Sequence, residues 1–90
     1  MGDMREVFDA MKEAREERRA SRLSQNWATL NAWRDAHGID RLDTRNGGTV
    51  VLFRDGAKKA DFYPGTGRWR SGGKTYRGGA ASFLAWWSKQ

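Results

Sequence analysis

The chain contains no cysteine and a single histidine, His37. The first absence excludes disulfide frameworks and thiolate zinc sites, and the second leaves too few imidazoles for a histidine-based metal centre. No apolar run approaches the roughly 18 residues expected of a membrane-spanning helix. Asp3, Glu6 and Asp9 stand where a secretory signal would carry basic residues and then an apolar stretch. A soluble cytoplasmic protein without metal or cofactor is the expectation.

Acidic residues are scarce in only one half of the chain. Residues 1–23 hold as many acidic as basic side chains, and so do residues 24–45. Residues 46–90 set Arg54, Lys58, Lys59, Arg68, Arg70, Lys74, Arg77 and Lys89 against Asp55 and Asp61 alone. The whole formal charge of +6 therefore lies in the C-terminal half. A field concentrated in this way attracts polyanions and argues against an acidic mimic of DNA.

The scarcity of acids also bears on catalysis. Asp55 is accounted for by an Asp-Gly turn, and Asp61 beside Lys58 and Lys59 is too little for a metal-dependent nuclease. His37 falls near a helix C-terminus, where it is most simply a residue compatible with the helix dipole. Gly73-Lys74-Thr75 resembles the end of a phosphate-binding loop, but the pattern requires glycine at position 68, which is Arg68. Moreover, 90 residues leave no room for the parallel sheet of such an enzyme, and Tyr76-Arg77-Gly78-Gly79 follows in place of a helix. No catalytic residue is assigned.

Residues 3 to about 22 have helical composition, with Met4, Val7, Phe8, Met11 and Ala14 recurring at three- and four-residue steps. The apolar stripe then gives way to mixed charge. Ser24 can cap a second helix with Trp27, Leu30 and Trp33 on its buried side, closing at His37-Gly38. One helix through the whole segment is the alternative.

After Gly38 the pattern alternates as in strands. Residues 39–45, 49–53 and 58–63 are candidate strands, separated by Asn46-Gly47-Gly48 and Asp55-Gly56. Pro64-Gly65-Thr66-Gly67 forms the next turn, then Arg68-Trp69-Arg70, and Lys74-Thr75-Tyr76 adds a last extended piece. A helix covers residues 80–88. The fold class is α+β: one or two N-terminal helices, an antiparallel meander of three to four strands, and a C-terminal helix packed on the sheet. Residues 1–37 form the helical region and residues 38–90 the basic meander with its helix, one compact domain overall. Phe53, Phe62, Trp69, Phe83 and Trp87 supply the core. Trp86, adjacent to Trp87 on a helix, cannot share its face and is expected to be part-exposed or covered by the N-terminal helix.

Arg68 and Arg70 share one strand face, which sends Trp69 to the other. With Lys74, Arg77, Lys58 and Lys59 they make a candidate phosphate-binding patch. Gly78 and Gly79, at the start of the last helix, offer backbone amides to an anion. Nothing suggests base-edge readout, so sequence preference should be weak. The alternative is that the glycines only turn the chain and the cations only keep it soluble.

The stretch Asp61-Phe62-Tyr63-Pro64-Gly65-Thr66-Gly67-Arg68-Trp69, followed by Tyr76-Arg77-Gly78-Gly79 and a short apolar helix, resembles small uncharacterised phage and prophage accessory proteins. The resemblance spans roughly residues 46–88. It implies an accessory protein acting in the bacterial host cytoplasm, and it carries over no activity. Phage proteins of this kind often modify host nucleic-acid enzymes. The resemblance thus admits two functions: a noncatalytic nucleic-acid-binding module, or an inhibitor that occupies a host defence nuclease such as a CRISPR effector.

Overall fold

The computed structural model describes residues 4–90. It is α+β, with the elements in the order α1 (Met4–Ala36), β1 (Asp43–Arg45), β2 (Val50–Asp55), β3 (Lys58–Tyr63), β4 (Arg68–Ser71), β5 (Lys74–Arg77) and α2 (Gly79–Ser88). The strands form one antiparallel meander in chain order. Both helices pack on the same face of it.

The N-terminal region is one helix. Neither proline nor glycine occurs between Asp3 and His37, and Ala, Glu, Arg and Lys dominate its first two thirds. Ser24 therefore does not start a second helix. At about 1.5 Å per residue α1 is roughly 50 Å long, which accounts for the 61 Å long dimension of the molecule. Its C-terminus is a Schellman cap. Gly38 adopts φ 65°, its N–H donates to the Asp35 carbonyl (3.2 Å), and the Ile39 N–H donates to the Arg34 carbonyl (3.0 Å).

The sheet has five strands where three to four were expected. Gly72-Gly73 is a two-residue turn that folds Lys74–Arg77 directly back onto β4, with Ser71 opposite Lys74. At the other edge the expected strand over residues 39–45 shrinks to Asp43–Arg45. The cap at Gly38 redirects the chain, and Arg34 Nη1 donates to the Asp40 carbonyl at 3.2 Å, holding the connection beside the helix end.

The core lies between the sheet and the two helices. Val51 and Phe53 of β2, Ala60 and Phe62 of β3 and Trp69 of β4 meet Leu30 of α1 and Ala80, Phe83 and Trp87 of α2. All five aromatics expected in the core are buried. Phe83 is its centre, stacked on Phe62 at 4.9 Å and edge-on to Phe53 at 4.6 Å. Burying such a ring stabilises by about 1.5–3 kcal/mol. Trp86 is half-buried, the first of the two outcomes expected for it, and packs on Trp69 (6.0 Å) and Tyr76 (5.3 Å) at the β4–β5 edge.

Candidate nucleic-acid interface

Alternation along the strands separates the sheet into two faces, and the register shows which residues share each. Phe62 pairs with Trp69 and Trp69 with Tyr76, all on the helix-bearing face. On the other face Asp61 pairs with Arg70, Tyr63 with Arg68, and Arg68 with Arg77. Arg54 pairs with Lys59 on that same side. Arg54, Lys59, Arg68, Arg70 and Arg77 are all exposed there.

One acid stands among them on β2–β5. Asp61 accepts from Arg54 Nη2 at 2.8 Å. Arg54 Nη1 also donates to the carbonyls of Phe53 (2.8 Å) and Ala60 (3.0 Å), so this arginine is committed to the sheet itself. The remaining ion pair among the described residues, Arg34 with Asp35, lies elsewhere. Lys59, Arg68, Arg70 and Arg77 therefore carry no acidic partner among the described residues. Arg68 and Arg77 are like charges directly opposite each other, an arrangement that destabilises a sheet.

Four of the residues singled out from the sequence sit differently. Lys58 lies on the helix-bearing side, with Nζ 4.7 Å from the Trp87 ring centroid. Adjacent strand residues face opposite ways, so Lys58 and Lys59 cannot share a patch. Lys74 is paired with Ser71 and shares the side of Trp69 and Tyr76, so it too is off the arginine face. Gly78 and Gly79 do begin α2, but its first amides are occupied. The Gly79 N–H donates to the Gly67 carbonyl (3.0 Å) and the Ala80 N–H to Asn26 Oδ1 (3.0 Å). The helix start is closed by protein acceptors at these two positions, which are not left open to a phosphate.

Asn26 was not apparent as a key residue from its polar side chain. It is 7% exposed and also donates from Nδ2 to the Pro64 carbonyl at 2.7 Å. One amide side chain thus joins α1, the β3–β4 turn and the start of α2. The available signal was its place in the stripe Asn26, Leu30, Trp33, at helical spacing on the packed face of α1. Gly67 completes the junction. A Cβ there would come within 3.0 Å of Gly79 Cα. The turn residues Pro64–Gly67 and the Arg77-Gly78-Gly79 segment are thus one structural clamp. A groove of about 650 Å³ passes it, with Arg22 and Arg77 among its lining residues.

Among the described residues no group of three or more His, Cys, Asp or Glu side chains converges, and no helix is long and apolar enough to cross a membrane. No family model, no curated protein and no solved structure matches this chain.

Proposed function

We propose that the chain is a noncatalytic, phage-derived nucleic-acid-binding accessory protein of the bacterial cytoplasm, and that the uncovered sheet face grips the phosphate backbone. The observation that carries this reading is the Arg68–Arg77 pair, with Arg70 next to it on β4 and Lys59 further along the same face. None of the four is in an ion pair among the described residues; Asp61, opposite Arg70, is bonded to Arg54. Cations set opposite one another cost stability in the free protein. An anionic partner relieves that cost, since each phosphate contact releases bound counterions.

The test is fluorescence anisotropy of labelled single-stranded and duplex oligonucleotides across a salt series. Four contacts give a log–log salt slope of about −4 on duplex DNA or about −3 on a single strand. Charge reversal of Arg68 and Arg70 together abolishes the binding. Salt-insensitive binding, or binding unchanged in R68E/R70E, refutes the reading.

A second reading, inhibition of a host defence nuclease, draws on α1. Of the described side chains between Met11 and Gln25 only Ala14 is even half-buried, and Met11 and Leu23 are exposed apolar residues. An arm of this kind suits a protein partner. Under that reading free nucleic acid binds poorly, a host effector co-purifies, and removal of residues 1–23 releases it.

A further inference from the structure

The uncovered face holds one aromatic residue besides its cations. Tyr63 ends β3, directly opposite Arg68 of β4, and on the pleat it points away from Phe62 and the core. The ring is half-buried and has no aromatic ring partner, unlike Tyr76, which stacks on Trp69 at 5.6 Å and 12°. The Tyr63 hydroxyl makes no hydrogen bond among the described residues. The backbone beneath it is fixed: the Tyr63 carbonyl accepts from the N–H groups of Thr66 (3.2 Å) and Gly67 (2.8 Å). The backbone that carries the ring is thus anchored, and the half-buried ring engages no other aromatic ring among the described residues.

The shape of this surface discriminates between nucleic acids. Five strands at about 4.8 Å spacing make a face roughly 19 Å across. The major groove of a DNA duplex, about 12 Å wide, admits a helix or a two-stranded ribbon and is too narrow for such a face. A duplex would touch it only along phosphate ridges. A single strand can lie across it, with phosphates on the arginines and an unstacked base on an aromatic ring.

We infer that the sheet face binds single-stranded nucleic acid, with Tyr63 as a base-stacking platform and Arg68 and Arg77 beside it holding the backbone. This rests on the nucleic-acid reading above and specifies its substrate class. Stacking on a ring is tolerant of sequence, because every base presents a π face. Arg68, opposite Tyr63, adds a planar guanidinium on which a neighbouring base can also lie.

The test uses the full chain, a labelled oligothymidine of about 12 nucleotides, within the range one such site covers, and a blunt duplex of equal length. The single strand is expected to bind about tenfold or more tightly than the duplex. Tyr63→Ala weakens single-strand binding by about 5- to 150-fold, the range for loss of one stacked base. It leaves duplex binding unchanged. Tyr63→Trp retains single-strand binding and Tyr63→Leu does not, with circular dichroism confirming that each variant is folded. If R68E/R70E abolishes binding while Y63A and Y63L bind oligothymidine like the parent, the stacking inference is overturned and the backbone reading stands. Equal or tighter duplex binding also overturns it. If neither oligonucleotide binds, both readings fall.

Discussion

Asn26 and Ala80 lie 54 positions apart in the chain, yet the Asn26 Oδ1 accepts the Ala80 N–H at 3.0 Å in the protein interior. The same side chain satisfies the Pro64 carbonyl at 2.7 Å. Replacing Asn26 with Ala leaves a buried donor and a buried acceptor without partners. Each such loss costs about 1–3 kcal/mol. Urea denaturation of Asn26→Ala should therefore show a drop of about 2 kcal/mol or more at unchanged helix content.

Gly67 and Gly72 separate steric from conformational cost. Both have positive φ, 72° and 58°. An added Cβ at Gly67 meets the Gly79 backbone at 3.0 and 3.1 Å, whereas at Gly72 it meets nothing within 4 Å. Gly72→Ala should lose about 1–2 kcal/mol, the left-handed penalty alone. Gly67→Ala should lose clearly more, and thermal melts of the two variants side by side read the difference.

Arg77→Gln removes a like-charge neighbour of Arg68 and should raise stability by about 0.3 kcal/mol at low salt. The gain should vanish at high salt, where exposed charges are screened. The same substitution should weaken oligonucleotide binding and make the salt slope shallower by about one. Opposite movement of stability and affinity is the signature of a charge pair kept for binding.

Lys58 and Lys59 should behave differently although they are neighbours. Lys59→Gln should weaken nucleic-acid binding. Lys58→Gln should leave it unchanged and instead lose about 0.5–1 kcal/mol of stability, the value of a cation over a tryptophan face. Parallel titrations and urea melts of the two variants check both halves.

Phe83 is in ring contact with Phe53, Phe62, Trp69, Trp86 and Trp87. Phe83→Ala should cost about 3–5 kcal/mol. Against the roughly 5–15 kcal/mol typical of a whole domain, this leaves a marginal fold. Near-UV circular dichroism should report the loss of fixed aromatic packing.

Much of this molecule was legible in the residue pattern. The meander and its aromatic core follow from apolar residues alternating between Gly- and Asn-rich turns. The opposed placement of Arg68, Trp69 and Arg70 follows from the pleat alone. The same rule, applied from Phe62 and Tyr76 as core positions, separates Lys58 from Lys59 and Lys74 from Arg77. The charge cluster, taken by proximity in sequence, obscured that division. Arg54 was hidden differently, because its bond to Asp61 depends on which strands are neighbours. Asn26 was hidden most deeply, since a polar side chain in a helix looks solvated until tertiary contacts supply its partners.

The contacts of Asn26 also lead to an expectation about the order of folding. Consecutive hairpins close short loops, so the meander can assemble from local contacts. The amide bridge spans 38 and 54 positions and requires α1, the β3–β4 turn and α2 to be in place together. Contacts of such long sequence separation are expected to form late, as the long helix docks on the meander. Asn26→Ala should then leave the refolding rate nearly unchanged and speed unfolding, which a chevron plot measures directly. The bridge acts as a latch on the finished fold, setting how long α1 stays docked once the sheet has formed.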